Sequence, residues 1–295
     1  MTGRPALKRL ARPSGGLAML AVDQREALRA MIAERTGAPV SDEDVTAFKV
    51  AAARALTPHA SAVLVDPQFG WDAVVAADAV DPACALIAAA DQFVPGEHEF
   101  VRDAVLDESL DLDALATQGA QALKLLVVWR PDGDRDRRVA MVEDFVTRCR
   151  WRDLVSIIEP VSRAPLAGGD VAGGEFDADA GILAAARELG GLGADVYKTE
   201  VPTHGRGTDT EVLEGCRRID DLVDGAWVVL SSGVAAARFP DAVRLACAAG
   251  ASGFLAGRAV WASVVGSPRL EEDLEQVAVP ALRRLVQVVD DTVGR

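Results

Sequence analysis

Residues 122–160 have the sequence ALKLLVVWRPDGDRDRRVAMVEDFVTRCRWRDLVSIIEP, and this stretch decides the expected fold. Each end is a short, nearly continuous apolar run, 122–129 and 154–160, which is typical of parallel strands buried on both faces. Within 135–150, apolar side chains recur at the spacing of an amphipathic helix: Val139, Val142, Val146 and Cys149. The stretch therefore predicts a strand, a crossover helix and a second parallel strand.

The same alternation recurs along the whole chain. Eight apolar runs are predicted as strands, at 16–23, 61–66, 83–89, 122–129, 154–160, 195–200, 227–232 and 253–257. Eight strand–helix repeats in 295 residues predict an α/β fold with one (β/α)8 TIM barrel spanning 1–295. Such a barrel needs about 250 residues plus additions. A doubly wound sheet is the main alternative.

Extra helices are expected after the eighth strand. Ser267 and Pro268 form a helix-start signal, an N-cap hydroxyl followed by a proline at the first helical position. An apolar stripe then predicts a helix that covers the barrel or contacts another subunit: Leu282, Leu285, Val286 and Val289. The helix predicted at 240–249 has Gly250 as its C-cap. The segment 167–176, rich in glycine and acid, is predicted to be a loop.

Composition excludes several classes of partner. The formal net charge of −14 argues against nucleic acid and against an anionic membrane surface. The four cysteines have no paired spacing, which favours reduced thiols. The first residues are basic but lack the apolar segment of a signal peptide, and the apolar runs are too short to span a bilayer. We expect a soluble, cytoplasmic protein.

Polar residues cluster where the predicted strands end, which is where barrel enzymes carry their catalytic groups. Seven of the eight strands contribute such candidates: Asp23, Gln24, Arg25, Asp66, Lys124, Glu159, Lys198, Ser231, Ser232, Gly233, Gly257 and Arg258. The last five surround the ends of strands seven and eight, the usual phosphate site of a barrel. These residues predict an anion site there.

Two lysines, Lys124 and Lys198, lie in strands predicted to be buried, where an ammonium must be paired, solvated or neutral. One explanation is structural: buried ion pairs with Glu159, Glu200 or Asp23. The other is catalytic, because burial and a second cation favour a neutral, nucleophilic amine. An imine formed with a ketone is then an electron sink for carbon–carbon cleavage, with Glu159 as the group that moves protons.

Metal and cofactor chemistry have little support in the sequence. His59, His98 and His204 are the only histidines, and His59 precedes the second strand, at the opposite end of the barrel. No GxGxxG or P-loop pattern follows the first strand. We expect neither a metal nor a cofactor. His204, in the loop after strand six, is either a loop residue or a substrate contact.

Six segments carry a resemblance to a known family: SGGLAMLAVDQREALR, ALKLLVVWR, VSIIEPVSR, GADVYKTEVP, WVVLSSGV and GASGFLAGRAVWASVVG. The chain resembles the class I aldolases that include tagatose 1,6-bisphosphate aldolase, and within them it is most similar to the sulfofructosephosphate aldolases. The resemblance implies a homo-oligomeric barrel enzyme. Its expected reaction splits 6-deoxy-6-sulfofructose 1-phosphate into dihydroxyacetone phosphate and 3-sulfolactaldehyde during sulfoquinovose degradation.

The resemblance also implies residue roles. Lys198 matches the Schiff-base lysine, Glu159 the acid/base carboxylate, and Lys124 and Asp23 polar groups beside the imine. The phosphate site is matched by Ser232, Gly233, Gly257 and Arg258. Candidates for the sulfonate are Gln24 first, then Arg25, Asp66 and Arg163. The segment 203–206 departs from the family pattern, which leaves the substrate range open.

Two alternatives remain at this point. A tagatose or fructose 1,6-bisphosphate aldolase would use the same Schiff-base chemistry with a different anion at the far end of the substrate. A barrel that binds sugar phosphates without turning them over belongs to a different class, a sensor rather than an enzyme. A Schiff-base adduct on Lys198 would distinguish the enzyme from the sensor.

Overall fold

The computed structural model describes residues 5–97, 99–166 and 176–293. Eight parallel strands close into a barrel, and two antiparallel strands form a hairpin outside it. The barrel strands are β1 (Leu17–Ala21), β2 (Ala62–Val65), β3 (Ala85–Ala89), β6 (Ala120–Trp129), β7 (Val155–Ser162), β8 (Val196–Thr199), β9 (Ala226–Val229) and β10 (Gly253–Ala256). The hairpin strands are β4 (Asp91–Val94) and β5 (Asp103–Leu106).

Helices follow the strands around the barrel. They are α1 (Glu26–Thr36), α2 (Asp42–Leu56), α3 (Trp71–Ala76), α4 (Leu112–Thr117), α5 (Arg135–Trp151), α6 (Ala178–Leu189), α7 (Asp209–Asp220), α8 (Phe239–Ala249), α9 (Arg258–Trp261), α10 (Leu270–Asp273) and α11 (Val279–Thr292). Short 3-10 helices span Pro5–Leu10, Thr57–His59, Pro202–Gly205 and Ala262–Val264, and a π-helix spans Leu274–Ala278. No described helix is both long and apolar enough to cross a membrane.

The barrel closes in chain order, with β1 between β10 and β2. Each barrel strand is parallel to its neighbours, and the register pairs Met19 with Leu255 on one side and with Ala62 on the other. The eight predicted strands and the helices expected at 135–150 and 240–249 are confirmed. Gly250, at φ 123°, ends α8 as expected.

Two features differ from the sequence expectations. The β4–β5 hairpin was not predicted, because its strands are only four residues long and each begins with an aspartate. The helix start expected at Ser267 and Pro268 is wrong: α10 begins at Leu270, and the Ser267 hydroxyl accepts a hydrogen bond from the Arg269 N–H at 3.0 Å. Most of the predicted loop at 167–176 lies outside the described residues.

Side chains that point into the barrel alternate along each strand, as the period of a β-strand requires. The interior is apolar from its amino end upward and is filled by small and medium residues such as Met19, Leu64, Ile87 and Leu255. The N-terminal 3-10 helix contributes Leu10, which is fully buried in the same cluster. The predicted stripe on α11 packs against the outside of the barrel, so it covers the barrel. Toward the carboxyl end, charged side chains replace part of this apolar filling.

Candidate active site

A cavity of about 840 Å³ opens at the carboxyl ends of the barrel strands. Eight of the residues expected at the site line it: Asp23, Gln24, Arg25, Lys124, Glu159, Arg163, Ser232 and Arg258. The other expected residues are Asp66, Lys198, Ser231, Gly233 and Gly257, and they lie next to the cavity wall without forming part of it. Lys198 contacts a residue of the cavity wall, because its Nζ forms an ion pair with Glu159.

Lys124 is 1% exposed and is enclosed by carboxylates. Its Nζ lies 2.7 Å from Asp23, 2.8 Å from Asp91 and 3.3 Å from Glu159. Burial by itself lowers the pKa of this ammonium, but the three negative charges outweigh burial and hold the pKa above its usual value. Lys124 is therefore charged at neutral pH, and its charge is offset by its neighbours.

Glu159 joins the two lysines. Its Oε1 lies 2.8 Å from Lys198 Nζ, and its Oε2 lies 3.3 Å from Lys124 Nζ. Oε2 is buried, and it accepts no hydrogen bond from the described residues, since the contact with Lys124 has ion-pair distance without hydrogen-bond geometry. A carboxylate oxygen in this state can take a proton from a bound hydroxyl.

Asp23 completes the ionised cluster. Burial of this carboxyl opposes its ionisation, but the charges of Lys124 and Lys198 outweigh burial and hold the pKa well below its usual range. The structural explanation for the two lysines was that they form buried ion pairs. The structure contains such pairs with Asp23 and Glu159, but not with Glu200. The second cation expected beside Lys198 is Lys124, on the other oxygen of Glu159, and three carboxylates surround its ammonium.

Asp91 was missed in the sequence and is central in the structure. Besides Lys124, its carboxylate accepts hydrogen bonds from the Leu126 N–H at 2.9 Å and from Arg25 Nη2 at 3.0 Å. Arg25 also lies over the Phe93 ring, 4.1 Å from its centroid. The sequence does contain a signal for Asp91, which follows Ala89 by two positions just as Asp23 follows Ala21. Side chains two positions apart in a strand point to the same face, so Asp91 is expected to point into the barrel as Asp23 does.

Asp66 has a different environment from the one expected. It is fully buried, and its carboxylate accepts hydrogen bonds from Lys49 Nζ and from the Phe69 N–H. Lys49, on α2, was also missed. We therefore propose that Asp66 supports the strand ends and does not contact the substrate. Gln24 stays at the cavity: its Nε2 donates to Asp23 at 3.3 Å, and its buried Oε1 has no partner among the described residues.

The ends of β9 and β10 meet as expected. Arg258 Nη2 donates to the Ser232 hydroxyl at 2.8 Å, and both line the cavity. A side chain at Gly257 would come within 2.1 Å of the Ala21 carbonyl oxygen, so the backbone there requires glycine. Gly233 has φ 78°, and a Cβ at this position would lie 2.6 Å from the His204 ring. This corner combines a guanidinium, a hydroxyl and exposed backbone.

A second guanidinium lies across the cavity. Arg163 donates to Glu200 Oε1 at 3.3 Å, and His204 Nε2 lies 3.9 Å from the same oxygen. His204 and the preceding Thr203 have positive φ, at 47° and 56°. His204 therefore packs beside Glu200 and Gly233 at the edge of the site. His98 lies outside the described residues.

The β4–β5 hairpin forms one wall of the cavity. Phe93, Phe100 and Val101 line it, and Phe100 is 57% exposed. Arg130, at the end of β6, holds the hairpin tip by donating to Glu99 at 2.7 Å and to the Arg102 carbonyl oxygen at 3.4 Å. Among the described residues, no group of three or more His, Cys, Asp or Glu is arranged to hold a metal ion.

The fold and the site define a class I aldolase, a carbon–carbon lyase that works through a Schiff base. The chain belongs to the DeoC/LacD family of aldolases, whose profile matches residues 17–263. The family-level resemblance found in the sequence is thereby confirmed.

Curated relatives match most of the length of the chain. Tagatose 1,6-diphosphate aldolase 2 of Streptococcus pyogenes serotype M1 is 27% identical over 311 residues, which cover 95% of this chain and 92% of the relative. Tagatose 1,6-diphosphate aldolase 1 of Enterococcus faecalis is 29% identical over 289 residues, covering 89% and 85%. Neither of these two is a sulfofructosephosphate aldolase, so that part of the resemblance stays a hypothesis.

Solved structures show the same fold. The fructose-bisphosphate aldolase of Plasmodium falciparum matches with a TM-score of 0.69 and 15% identity, over 97% of this chain and 93% of that one. An archaeal fructose-1,6-bisphosphate aldolase, whose catalytic lysine is covalently bound to a carbinolamine intermediate, matches with a TM-score of 0.62 and 14% identity, over 97% and 98%. At these identities the likeness concerns the fold alone.

Proposed function

We propose that this aldolase cleaves a ketohexose 1,6-bisphosphate of the tagatose or fructose type into dihydroxyacetone phosphate and glyceraldehyde 3-phosphate. The observation that carries the chemistry is the contact of Glu159 with both lysines, at 2.8 Å and 3.3 Å. The choice of a bisphosphate follows from the curated relatives, which are tagatose 1,6-diphosphate aldolases.

Glu159 supplies the proton transfers that the cleavage needs. It takes a proton from the Lys198 ammonium, and the free amine attacks the C2 carbonyl carbon to give a carbinolamine. Glu159 returns its proton to the C2 hydroxyl, which leaves as water, so that a protonated imine forms and Glu159 is again a carboxylate. The Glu159 carboxylate next accepts the proton of the C4 hydroxyl, the C3–C4 bond breaks, and its electron pair moves into the imine to form an enamine. Protonation at C3 and hydrolysis release dihydroxyacetone phosphate and restore Lys198.

Lys124 and Asp23 prepare this step without entering it covalently. The Lys124 ammonium lies 3.3 Å from Glu159 Oε2 and offsets the charge of that carboxylate, and Asp23 in turn holds Lys124 at 2.7 Å. The 1-phosphate is assigned to Ser232, Gly233, Gly257 and Arg258. Arg258 is exposed and forms no ion pair with the described residues, so its charge is free for a dianion.

A second candidate substrate is 6-deoxy-6-sulfofructose 1-phosphate. The observation that favours it is the pairing of the arginines on the other sides of the cavity, Arg25 with Asp91 and Arg163 with Glu200. Their charges are already offset, and a sulfonate carries one negative charge where a phosphate carries nearly two. Gln24, with its unpartnered Oε1, lies among these groups.

Borohydride trapping tests the chemistry. Reduction in the presence of dihydroxyacetone phosphate is expected to leave a covalent adduct on Lys198, identified by peptide mass spectrometry. The sequence has only four lysines, Lys8, Lys49, Lys124 and Lys198, so the assignment is direct. Lys198→Met is expected to lose the adduct and about 10³-fold or more in kcat, whereas Lys8→Met, at an exposed position, keeps both. Full activity without an adduct would contradict the mechanism and favour the non-catalytic binding barrel.

The substrate is decided by direct comparison. We expect tagatose or fructose 1,6-bisphosphate to be cleaved with at least about tenfold higher kcat/KM than the sulfonate substrate, a difference of about 1.4 kcal/mol in transition-state binding. A tenfold preference in the opposite direction would replace the bisphosphate proposal with the sulfofructosephosphate one. Excess EDTA is expected to leave either activity unchanged, because the Schiff base does the work of a metal.

A further inference from the structure

Lys49 lies outside the barrel, on α2, yet it is fully buried at the carboxyl end of the strands. Its Nζ donates to the Val22 carbonyl oxygen at 2.5 Å, to the Gln24 carbonyl oxygen at 2.7 Å and to the carboxylate of Asp66. An ammonium has three hydrogens, and all three are used. The two carbonyls belong to the residues on either side of Asp23.

We propose that Lys49 is a positioning residue for the aldol cleavage, which fixes the backbone on both sides of Asp23 and so holds that carboxylate against Lys124. This inference rests on the role proposed for the Lys124–Glu159–Lys198 cluster. Lys49 touches neither the cavity nor the reacting lysine, so it acts only through the segment that it holds.

The surroundings are shaped to admit this side chain. A Cβ at Gly70 would lie 2.9 Å from the Lys49 Cδ and 2.5 Å from the Val65 Cγ1, so the path of the lysine depends on glycine at that position. The Asp66 carboxylate is itself fixed by the Phe69 N–H at 2.8 Å. Helix α2 is tied to the same loop, because the Thr46 hydroxyl donates to the Phe69 carbonyl oxygen at 2.7 Å.

A purely structural role does not explain a charge here. Replacing a buried ion pair with apolar residues of similar size is often neutral or stabilising, so packing alone does not require Lys49 and Asp66. What an apolar side chain cannot do is donate to two backbone carbonyls. Those two hydrogen bonds are the feature that connects α2 to Asp23.

The test separates the hydrogen bonds from the charge. Lys49→Met combined with Asp66→Asn removes both the donor and its counter-ion, whereas Asp66→Asn alone keeps the donor. Burial lowers the pKa of Lys49 and Asp66 opposes that shift, so Asp66→Asn weakens the hold on the charge but leaves the amine in place to donate to the two carbonyls. We expect Asp66→Asn to lower kcat by no more than about threefold and the double variant to lower it by about 30-fold or more, with KM changed less than threefold in both.

A double-mutant cycle identifies the route. In a chain that carries Asp23→Asn, the same double variant is expected to cost less than about threefold in kcat, because the carboxylate that Lys49 positions is already gone. Equal kcat in the double variant and in Asp66→Asn overturns the proposal, and so does a full 30-fold loss in the Asp23→Asn background. If the double variant does not give the wild-type circular-dichroism spectrum, Lys49→Gln takes its place. Its shorter amide cannot span both carbonyls, and the same two outcomes decide.

Borohydride trapping in each variant keeps this inference apart from the proposed function. The adduct on Lys198 is expected in all of them, because none changes the contact between Lys198 and Glu159. Absence of the adduct in the wild type would defeat the proposed function, whereas an adduct in every variant with unchanged kcat would defeat the positioning role alone. Lys8→Met serves as the matched lysine substitution and is expected to keep the wild-type kcat.

Discussion

The charged residues of the site are tolerated in a buried position because their positive and negative charges are equal in number. Lys124 and Lys198 face Asp23, Asp91 and Glu159, and Arg25 brings the balance to three cations and three carboxylates. Burying an isolated ion is costly, and ions in a matched, hydrogen-bonded cluster avoid most of that cost. Removing one member is therefore worse than removing a pair, which makes the stability of single variants informative.

Lys124→Met is expected to lower the free energy of unfolding by about 3–5 kcal/mol at neutral pH, because it leaves three carboxylates facing one another in a buried position. Urea unfolding followed by circular dichroism measures the loss, with Lys8→Met as the exposed control. A loss below about 1 kcal/mol would contradict the central role given to this cation.

The ion pair of Asp23 with Lys124 predicts how the free energy of unfolding of the wild type depends on pH. The pKa of Asp23 is held below its ordinary value of 3.8, so its contribution is present above pH 3.8 and disappears as pH falls through the lowered value. The pKa of Lys124 is held above 10.5, so its contribution is present below pH 10.5 and disappears as pH rises through the raised value. Between about pH 5 and about pH 9 both contributions should be constant. In Lys124→Met, by contrast, the loss of unfolding free energy relative to the wild type should become smaller as pH falls. The reason is that the carboxylates left without a cation become protonated.

At the scale of elements, the β4–β5 hairpin converts an open barrel end into a cavity. Each of its strands is only four residues long, so the hairpin depends on contacts beyond the hydrogen bonds between these two strands. Asp91 anchors its start to Lys124, and Arg130 anchors its tip through Glu99. The Arg130 guanidinium also donates to the Ala164 carbonyl oxygen, which connects the hairpin to the loop after β7.

Arg130→Met should loosen this wall while leaving the lysines untouched. We expect KM for the bisphosphate to rise about tenfold with kcat changed less than threefold, because the wall shapes binding and does not touch the reacting bond. Steady-state kinetics measures both, and Arg135→Met, at an exposed arginine nearby, is the control. A fall in kcat with unchanged KM would show that the hairpin acts on the chemical step instead.

At the scale of the whole molecule, the barrel separates an apolar interior from a charged end. The cysteines belong to the apolar part: Cys84, Cys149 and Cys216 are buried and Cys247 is partly buried. Burial raises the pKa of the Cys84, Cys216 and Cys247 thiols to about 12. Because the thiolate is the reactive form, these thiols should be inert in the native protein.

A thiol count with Ellman's reagent at pH 8 checks this expectation. At a pKa of about 12, only about one thiol in 10,000 is ionised at that pH, and access is blocked as well. The native protein should therefore react at fewer than one site within minutes, and all four should react in concentrated urea. Rapid native labelling would show that the helices around the barrel open far more readily than their packing implies.

The sequence by itself determined the barrel and the kind of chemistry. Eight apolar runs alternating with helices define the fold, because strands buried on both faces must be apolar throughout. Lys124, Glu159 and Lys198 stood out for the same reason: a charge in such a run is unexpected unless it has a function or a partner. The hairpin escaped detection because each of its strands is only four residues long, and runs this short resemble loop sequence.

Only the tertiary structure decided which charges meet. Asp91 comes from the hairpin and Lys49 from an outer helix, and in the sequence Lys49 looks like an ordinary helical lysine in DEDVTAFKVAAARAL. Whether such a lysine is solvated or buried depends on what packs over the helix, and local sequence does not contain that information. Ion pairing falls off over a few ångströms, so the partners of Lys124 and Asp23 are fixed by the closure of the barrel, which brings residues 68 positions apart, Asp23 and Asp91, onto one ammonium.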